Sequence, residues 1–184
     1  MPNIQTIVLG GGCSWCAEAV FKQLIGVVNV APGYAGGKVV NPSYEQVCTG
    51  NTGHAEVVKI DFDSEQISLE TLLEVFFSTH NPTTLNQQGH DVGTQYRSVI
   101  LFNTPEQEKI AQTKVAQLTT DHTYPDPIVT EIKPLDKFYE AEDYHHDYFK
   151  KNPDKTYCQL VINPKLKKFK EKWTHLLKNS IFLV

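Results

Sequence analysis

Apolar residues along the chain follow two periods, and each period predicts a different kind of element. Residues 4–9 (IQTIVL) form a short β-rich run that ends at three glycines, which predicts a buried strand. Residues 14–25 place apolar side chains at helical spacing, so a helix is predicted directly after the glycines. Residues 54–62 (HAEVVKIDF) alternate between apolar and polar positions and predict a second strand. The chain therefore opens with a strand, a glycine turn and a helix.

The remainder of the chain continues with strands and helices in irregular alternation. A helix is predicted at 68–79, and Thr104 followed by Pro105 begins another. Residues 32–54 are rich in glycine and are predicted as loops, while residues 80–95 form a long polar loop whose length indicates a function. The other predicted elements are strands at 96–102, 128–132 and 157–162 and helices at 138–150 and 164–177.

This succession of elements favours a single domain of the α+β class, with helices packed on a mixed sheet. The sequence contains no repeat, no low-complexity segment and no clear linker. We therefore treat residues 1–184 as one domain, with residues 150–184 as its C-terminal extension.

Composition adds little to this fold prediction but excludes several kinds of partner. The chain has 184 residues, of which 40% are hydrophobic and 21% charged, and its net charge is -4. Such a chain can supply a core and has no bulk attraction for nucleic acid or an anionic membrane. No apolar run reaches the length of a membrane span, and the N-terminus lacks the basic residues of a secretory signal. We expect a cytosolic monomer with no nucleic-acid or membrane partner, whose four cysteines are mostly reduced thiols.

The segment GGGCSWC, residues 10–16, carries the strongest chemical signal. Cys13 lies at the predicted N-terminus of a helix, where unpaired backbone N–H groups and the helix dipole favour a thiolate. Cys16 follows one helical turn later, so the pair could close to a disulfide or supply two metal ligands. A zinc site would need two further ligands, and no second C-x-x-C or Cys/His pair is present. The segment therefore favours a nucleophilic Cys13.

Three further motifs accompany this segment. They are GYAGG at 33–37, TGHAE at 52–56 and DVGTQYRS at 91–98. In this order, and with the Cys13 segment before them, they resemble the A-type peptide methionine sulfoxide reductases. Residues 81–89, 138–145 and 157–166 also resemble that family. The resemblance spans most of the chain and implies a ferredoxin-like α+β sandwich with a mixed β-sheet, packed helices and long functional loops.

The resemblance also implies a reaction and a role for each site residue. Cys13 would attack the sulfur of methionine-S-sulfoxide, free or in a protein, and become a sulfenic acid. Glu56 would be the acid for the leaving oxygen, and Tyr34 and Tyr96 would donate hydrogen bonds to that oxygen. Asp91 would support the site. A second thiol would form a disulfide with Cys13, and thioredoxin would reduce that disulfide, with no metal or organic cofactor.

Each of these residues also has an interpretation without catalysis. Glu56 could be a solvent-facing strand residue, Tyr34 and Tyr96 could serve packing, and Asp91 could form a turn before a glycine. Their joint occurrence in the order of the family favours the catalytic interpretation.

The chain departs from the family beside the nucleophile. Ser14 stands where the family usually has phenylalanine, and in the family that ring and the tryptophan matched by Trp15 form the pocket for the S-methyl group. Ser14 and Trp15 are therefore the predicted substrate-binding residues. With one ring missing, we expect weaker binding or altered selectivity unless another aromatic residue fills the gap. Ser14 could also cap the helix.

Two thiols are candidates for the resolving cysteine. Cys16 is nearest in sequence and is slightly favoured, while Cys158 lies in the C-terminal region, where many family members keep their recycling cysteine, but within a predicted strand. Cys48 is predicted to be structural. Glu142 and His145 are interpreted as part of a polar helix face rather than as metal ligands.

Three other functions stay open on the sequence alone. A C-x-x-C thiol–disulfide oxidoreductase would use Cys13 and Cys16 without needing Glu56. A zinc-stabilised binding module would contain stoichiometric zinc. An inactive family member would keep the fold but lack a working pocket because of Ser14. We expect the active reductase.

Overall fold

The structure is a computed structural model that describes residues 1–178. Its strands are β1 (Ile4–Gly10), β2 (Val27–Ala35), β3 (Ala55–Asp63), β4 (Gln87–Gln88), β5 (Asp91–Val92), β6 (Val99–Phe102), β7 (Glu131–Pro134) and β8 (Phe138–Glu140). Its helices are α1 (Ser14–Phe21), α2 (Tyr44–Cys48), α3 (Leu69–Ser78), α4 (Pro105–Thr120), α5 (Tyr148–Lys151) and α6 (Asn163–Lys172). The last six residues of the predicted extension, 179–184, lie outside the described residues.

Six of the strands form one sheet in the order β7-β6-β1-β3-β2-β8. Neighbouring strands are antiparallel except β6 and β7, which are parallel, so the sheet is mixed. Strands β1, β2, β3 and β6, with α1 and α3 between them, follow the β-α-β-β-α-β succession of ferredoxin-like folds. The predicted α+β class and ferredoxin-like sheet are therefore confirmed.

The sheet is curved into a half-barrel, as its connections require. Strand β7 lies at one edge and β8 at the other, yet only residues 135–137 join them. Such a link reaches roughly 14 Å, whereas a flat sheet of six strands spans about 24 Å. Because the link is too short for a flat sheet, the two edges must curve toward each other. This curvature brings the segment after β8 beside the strand ends that carry the site.

The two faces of the sheet bury different apolar clusters. On β1, Ile7 and Leu9 point into the main core, which also contains α1, α3 and α6, while Val8 points to the opposite face. Leu135, in the link between the sheet edges, and Phe138, at the start of β8, pack on that second face. The alternation along β1 thus places the helices on one side and the edge-to-edge link on the other.

Most elements that carry a strong periodic pattern are found where predicted. The helix after Thr104 begins with Pro105, and the Thr104 hydroxyl accepts a hydrogen bond of 3.2 Å from the Gln107 N–H. Helix α3 agrees with the predicted 68–79, and strands β1 and β3 agree with their predictions within a residue or two. Helix α1 is shorter than predicted, since it ends at Phe21. None of the helices in residues 1–178 is long and apolar enough to cross a membrane.

Other sequence predictions are wrong in type or position. Strand β2 (Val27–Ala35) extends into the predicted loop 32–54, and Gly33 is required there because a Cβ would lie 2.4 Å from the Phe138 ring. The predicted helix 138–150 is instead strand β8, a 3₁₀ turn and the short α5. The predicted strand 157–162 is a π-helical turn that continues into α6. The predicted strands 96–102 and 128–132 start later, at Val99 and Glu131.

Candidate active site

Cys13 lies between strand β1 and helix α1, where the chain changes direction. Gly12 has φ +90°, a conformation that favours glycine, and a Cβ there would lie 2.7 Å from Gln88 Cγ. Cys13 follows as the N-cap residue of α1 and is half-buried. The Gly12 N–H donates a hydrogen bond of 3.2 Å to the Tyr96 carbonyl. The glycine turn therefore fixes the nucleophile beside the turn that carries Tyr96.

The environment of Cys13 disfavours the thiolate, contrary to the sequence-based expectation. Burial raises the pKa of Cys13 well above its usual value, and the nearby Glu56 and Cys16 raise it further. The Trp15 N–H at the helix N-terminus and the nearby Tyr157 hydroxyl lower it, but these effects are smaller. The expected helix effect is therefore present, and desolvation outweighs it. At neutral pH Cys13 is a thiol in this state.

Glu56 is a buried carboxyl on strand β3, with only 4% of its surface exposed. Its Oε1 accepts hydrogen bonds from Ser14, 3.2 Å from the backbone N–H and 3.4 Å from the hydroxyl. Burial raises the pKa of Glu56 to about 7 despite these bonds. Because both donors point at Oε1, a neutral Glu56 carries its proton on Oε2. Ser14 therefore does not cap α1, whose N-cap is Cys13, but orients Glu56.

Tyr34 and Tyr96 lie on the two segments that flank Glu56. Tyr34 on β2 is 2% exposed, and its hydroxyl donates a hydrogen bond of 3.1 Å to Glu142 Oε1. Tyr96 ends the 3₁₀ turn Thr94–Tyr96 before β6 and is half-buried. Burial raises the pKa of both hydroxyls above their usual value, and nearby carboxylates add to the shift. Both tyrosines therefore keep their protons and can donate hydrogen bonds.

Asp91 belongs to the small β4–β5 hairpin within the predicted 80–95 loop. Its Oδ2 accepts a hydrogen bond of 2.8 Å from the Tyr157 hydroxyl. The same Tyr157 hydroxyl lies near the Cys13 and Cys16 thiols and lowers the pKa of each. Asp91 thus acts on the thiol pair through Tyr157, a residue that the sequence analysis did not single out as part of the site.

Trp15 is surrounded by polar and aromatic partners from the C-terminal third of the chain. Its Nε1 donates a hydrogen bond of 2.9 Å to His145 Nδ1. The Tyr148 ring stacks on the indole with a centroid distance of 3.6 Å and an interplanar angle of 5°. Tyr157 meets it edge-on at 5.8 Å. Trp15 therefore stands beside the nucleophile as a fixed aromatic wall.

Glu142 and His145 belong to the site, so their interpretation as a polar helix face is wrong. Glu142 accepts hydrogen bonds from the Tyr34 hydroxyl and, at 3.2 Å, from the Tyr44 N–H. His145 is only 2% exposed. The segment folds this way because β8, the edge strand, pairs with β2 and turns the following residues over Tyr34. A polar pair inside an aromatic run, EDYHHDYF, was the signal that could have indicated burial.

The other three cysteines occupy different environments. Cys16 and Cys158 are 3% and 0% exposed and belong to the same main core. Burial raises the pKa of Cys16, while the nearby Lys165 lowers it. Cys48, predicted to be structural, is exposed at the end of α2 and fills no core position. All four cysteines are unpaired in this structure.

Two further observations concern the possible zinc site and a cavity elsewhere in the protein. Within residues 1–178, no group of three or more His, Cys, Asp or Glu side chains is placed to hold a metal ion. A cavity of about 700 Å³ lies between the end of α3 and α6, lined in part by Lys165, Lys168 and Trp173. It does not include Cys13 or Glu56 and is separate from the site described above.

Comparisons with known proteins agree with this geometry. The sequence profile of the family described as "Peptide methionine sulfoxide reductase" matches residues 5–177. The peptide methionine sulfoxide reductase MsrA of Saccharolobus solfataricus is 56% identical over 166 residues, which cover 90% of this chain and 93% of that protein.

Solved structures of the yeast protein Mxr1 are also similar. The reduced form of Mxr1 from Saccharomyces cerevisiae has a TM-score of 0.79 and 34% identity, covering 84% of this chain and 89% of that one. Mxr1 in complex with Trx2 has a TM-score of 0.56 and 22% identity, covering 79% and 84%. From the profile and the curated relative together, this chain belongs to the peptide methionine sulfoxide reductase family.

Proposed function

We propose that this chain reduces methionine-S-sulfoxide, free or within proteins, to methionine through Cys13. The observation that carries the proposal is Glu56, a buried carboxyl with a pKa of about 7 that is hydrogen-bonded to the residue after the nucleophile. A carboxyl with that pKa holds a proton near neutral pH and can release it during the reaction, as a general acid must. A carboxyl that served only packing would gain nothing from this arrangement.

The first step transfers oxygen from substrate to enzyme. The Cys13 sulfur attacks the sulfoxide sulfur, the substrate S–O bond breaks, and the oxygen ends on Cys13 as a sulfenic acid. The substrate sulfur gains two electrons and the Cys13 sulfur loses two. Glu56 gives its proton to the oxygen and is reprotonated by the proton of the thiol, so the overall step consumes no external proton. This exchange suits a site where Cys13 begins as a thiol.

The charge that develops on the oxygen needs donors that stay protonated. Tyr34 and Tyr96 meet this requirement, because burial keeps their hydroxyls neutral. In this structure the single hydrogen of the Tyr34 hydroxyl is donated to Glu142 Oε1, so Tyr34 must turn that hydrogen toward the substrate oxygen during the reaction. Trp15 would form the wall against the S-methyl group, and Ser14 would act on Glu56 rather than on the substrate.

The second step regenerates the thiol. A second cysteine attacks the sulfenic acid, a disulfide forms and water leaves. Cys16 is favoured because it lies one helical turn after Cys13, near enough to raise the pKa of the Cys13 thiol, and Tyr157, which Asp91 orients, lies near both thiols. Cys158 in the same core is the alternative. An external dithiol such as thioredoxin would reduce the disulfide, and the existence of an Mxr1–Trx2 complex supports a protein reductant. The reaction would need no metal or organic cofactor, and a reducing cytosol would suit the four thiols.

The proposed catalytic unit is a single domain that includes the C-terminal extension. Residues after 150 supply Tyr157 to the thiols and bury Cys158, Ile162 and Leu166 against the main core. A cut before residue 150 would therefore remove part of the site and part of the core.

A single-turnover assay tests the proposal. Fully reduced protein is mixed with excess methionine-S-sulfoxide without reductant, methionine is counted, and disulfides are mapped by mass spectrometry. We expect about one methionine per chain and a Cys13–Cys16 bridge. In Cys16→Ser the methionine should still form while the bridge is lost or moves to Cys158, and Cys158→Ser is the matched control.

Two results would contradict the proposal. No methionine from the fully reduced parent would remove the reductase assignment. Activity in disulfide exchange that survives in Glu56→Gln, with no methionine from the parent, would favour the thiol–disulfide oxidoreductase instead.

A further inference from the structure

We propose that His145 is a positioning residue that holds the Trp15 indole as an aromatic wall of the substrate pocket. The inference rests on the proposed function of the site. It assigns a specific task to a buried histidine that the oxygen-transfer and disulfide steps do not use.

Three contacts determine the orientation of the Trp15 ring. His145 fixes its Nε1 at 2.9 Å, Tyr148 covers one face at 3.6 Å, and Tyr157 meets it edge-on at 5.8 Å. Of these contacts, only the hydrogen bond is strongly directional in the plane of the ring. Stacking on Tyr148 alone would allow the indole to turn within its own plane.

His145 is itself held firmly in one protonation state and one place. An indole N–H can only donate, so Nδ1 of His145 must accept and its hydrogen must lie on Nε2. Burial lowers the pKa of His145, which keeps the ring neutral. The rings of Tyr44 and Tyr144 lie against it, with centroids at 4.5 and 4.1 Å.

The other ring nitrogen shows that His145 does not serve packing alone. Nε2 is buried and has no hydrogen-bond partner in the part of the chain that the structure describes. An unpaired buried donor is unfavourable, and a phenylalanine would fill the same space without it. The histidine is therefore accounted for by what Nδ1 does, which is to accept the Trp15 N–H.

The absence of a second ring beside the nucleophile makes this bond matter. Ser14 hydrogen-bonds Glu56 and offers no aromatic ring, so Trp15 supplies the ring next to the nucleophile. A small change in the angle of that ring changes the contact with an S-methyl group directly. His145 thus compensates for the missing ring by fixing the ring that is present.

The experiment compares two substitutions that differ in one property. His145→Phe keeps an aromatic ring but removes the acceptor, whereas Asn in His145→Asn places an amide oxygen near the position of Nδ1. His146→Phe is the control, because His146 bonds the Ala141 carbonyl rather than Trp15. The indole N–H signal of Trp15 is followed by nuclear magnetic resonance in a Trp173→Phe background. KM and kcat for methionine-S-sulfoxide are measured with dithiothreitol as reductant, and melting temperatures monitor folding.

We expect His145→Phe to move the Trp15 indole signal and to raise KM by about 3- to 10-fold, the size of one lost hydrogen bond, with kcat changed by less than about twofold. His145→Asn should restore most of the loss, and His146→Phe should leave the indole signal in place. Equal KM in the Phe and Asn variants, or an unmoved indole signal in His145→Phe, would overturn the proposal. A parent protein that forms no methionine would instead reject the proposed function, while the indole signal would still test the bond.

Discussion

Individual residues of the site show that burial has the same effect on two neighbouring groups, although only one of them benefits from it. Burial keeps Glu56 protonated, which an acid needs, and it also keeps Cys13 protonated, which a nucleophile does not need. Cys13 therefore begins the reaction as a thiol that exchanges a proton with Glu56, rather than as a preformed thiolate. The expectation of a thiolate was based on the N–H groups at the helix N-terminus. It could not include the burial of Cys13, because burial depends on the complete fold.

Glu56→Gln should stabilise the protein above neutral pH while it abolishes methionine formation. The folded-state pKa of about 7 exceeds the ordinary 4.5, so the folded state binds this proton more tightly than the unfolded state does. Stability therefore falls as pH rises from about 4.5 to about 7. At about pH 8 the Gln variant should have a free energy of unfolding higher by about 3 kcal/mol, and at about pH 4 the difference should vanish.

Urea unfolding at the two pH values measures this difference, with the exposed Glu171→Gln as the control. A Gln variant that is less stable than the parent at the higher pH would show that the Glu56 carboxylate is not penalised by burial.

At the scale of elements, the connection between α1 and the segment over the site depends on Lys22. Its ammonium bonds the Asp147 carboxylate and lies 3.4 Å from Glu18 Oε2. Glu18 is 2% exposed, and burial raises its pKa. The lysine thus joins the nucleophile helix to the turn before α5 and neutralises a buried carboxylate.

Lys22→Met should destabilise the protein more at high pH than at low pH. Without the ammonium, Glu18 must be either charged in a buried place or protonated, and protonation is easier as pH falls. We expect a loss of about 1–2 kcal/mol near pH 8, since Lys22 is partly exposed, and less near pH 5. The double variant Glu18→Gln/Lys22→Met should lose this pH dependence. An equal loss at both pH values in the single variant would contradict the role of Glu18.

Elements whose apolar residues repeat at a clear period were predictable from the sequence. Elements that form because of contacts with distant segments were not. Strand β2 was not predicted because Pro32 and Gly33 are residues typical of loops. A strand is favourable there because β8 pairs with β2 at Gly33. Residues 157–162 contain β-branched side chains that favour a strand. The buried residues follow helical spacing that continues into α6: Cys158, Ile162, Leu166 and Phe169. This spacing can be recognised only when residues 157–162 and α6 are considered as one segment.

The same distinction between local sequence pattern and distant contact applies to the residues of the site. The resemblance to a family located Cys13, Glu56 and Tyr34 because they lie in short contiguous motifs. Tyr157 and His145 were missed as site residues because their partners are 66 and 130 positions away in the chain. Only the folded chain shows such pairings.

At the scale of the whole molecule, the four thiols should react in the order of their exposure. Burial raises the pKa of each one, so none has an advantage as a ready thiolate. We expect iodoacetamide to modify Cys48 first and Cys13 next, and to modify Cys16 and Cys158 only when the core opens. Peptide mapping by mass spectrometry over a time course measures the order. Labelling of Cys158 in the absence of urea, as fast as that of Cys48, would contradict the buried position of the π-helical turn.

The half-barrel brings together site residues that are synthesised at very different times. The ribosome makes Cys13 about 140 residues before Tyr157, whose hydroxyl lies near the Cys13 thiol in the folded chain. At roughly 5–20 residues per second, this interval lasts roughly 7–30 s. During that time the glycine turn exists without the segments that enclose it, and Cys13 has the ordinary chemistry of an open thiol. The burial that makes it a proton-exchanging partner of Glu56 is therefore acquired late in synthesis, and nascent chains are the form of this protein in which Cys13 is least protected from adventitious oxidation.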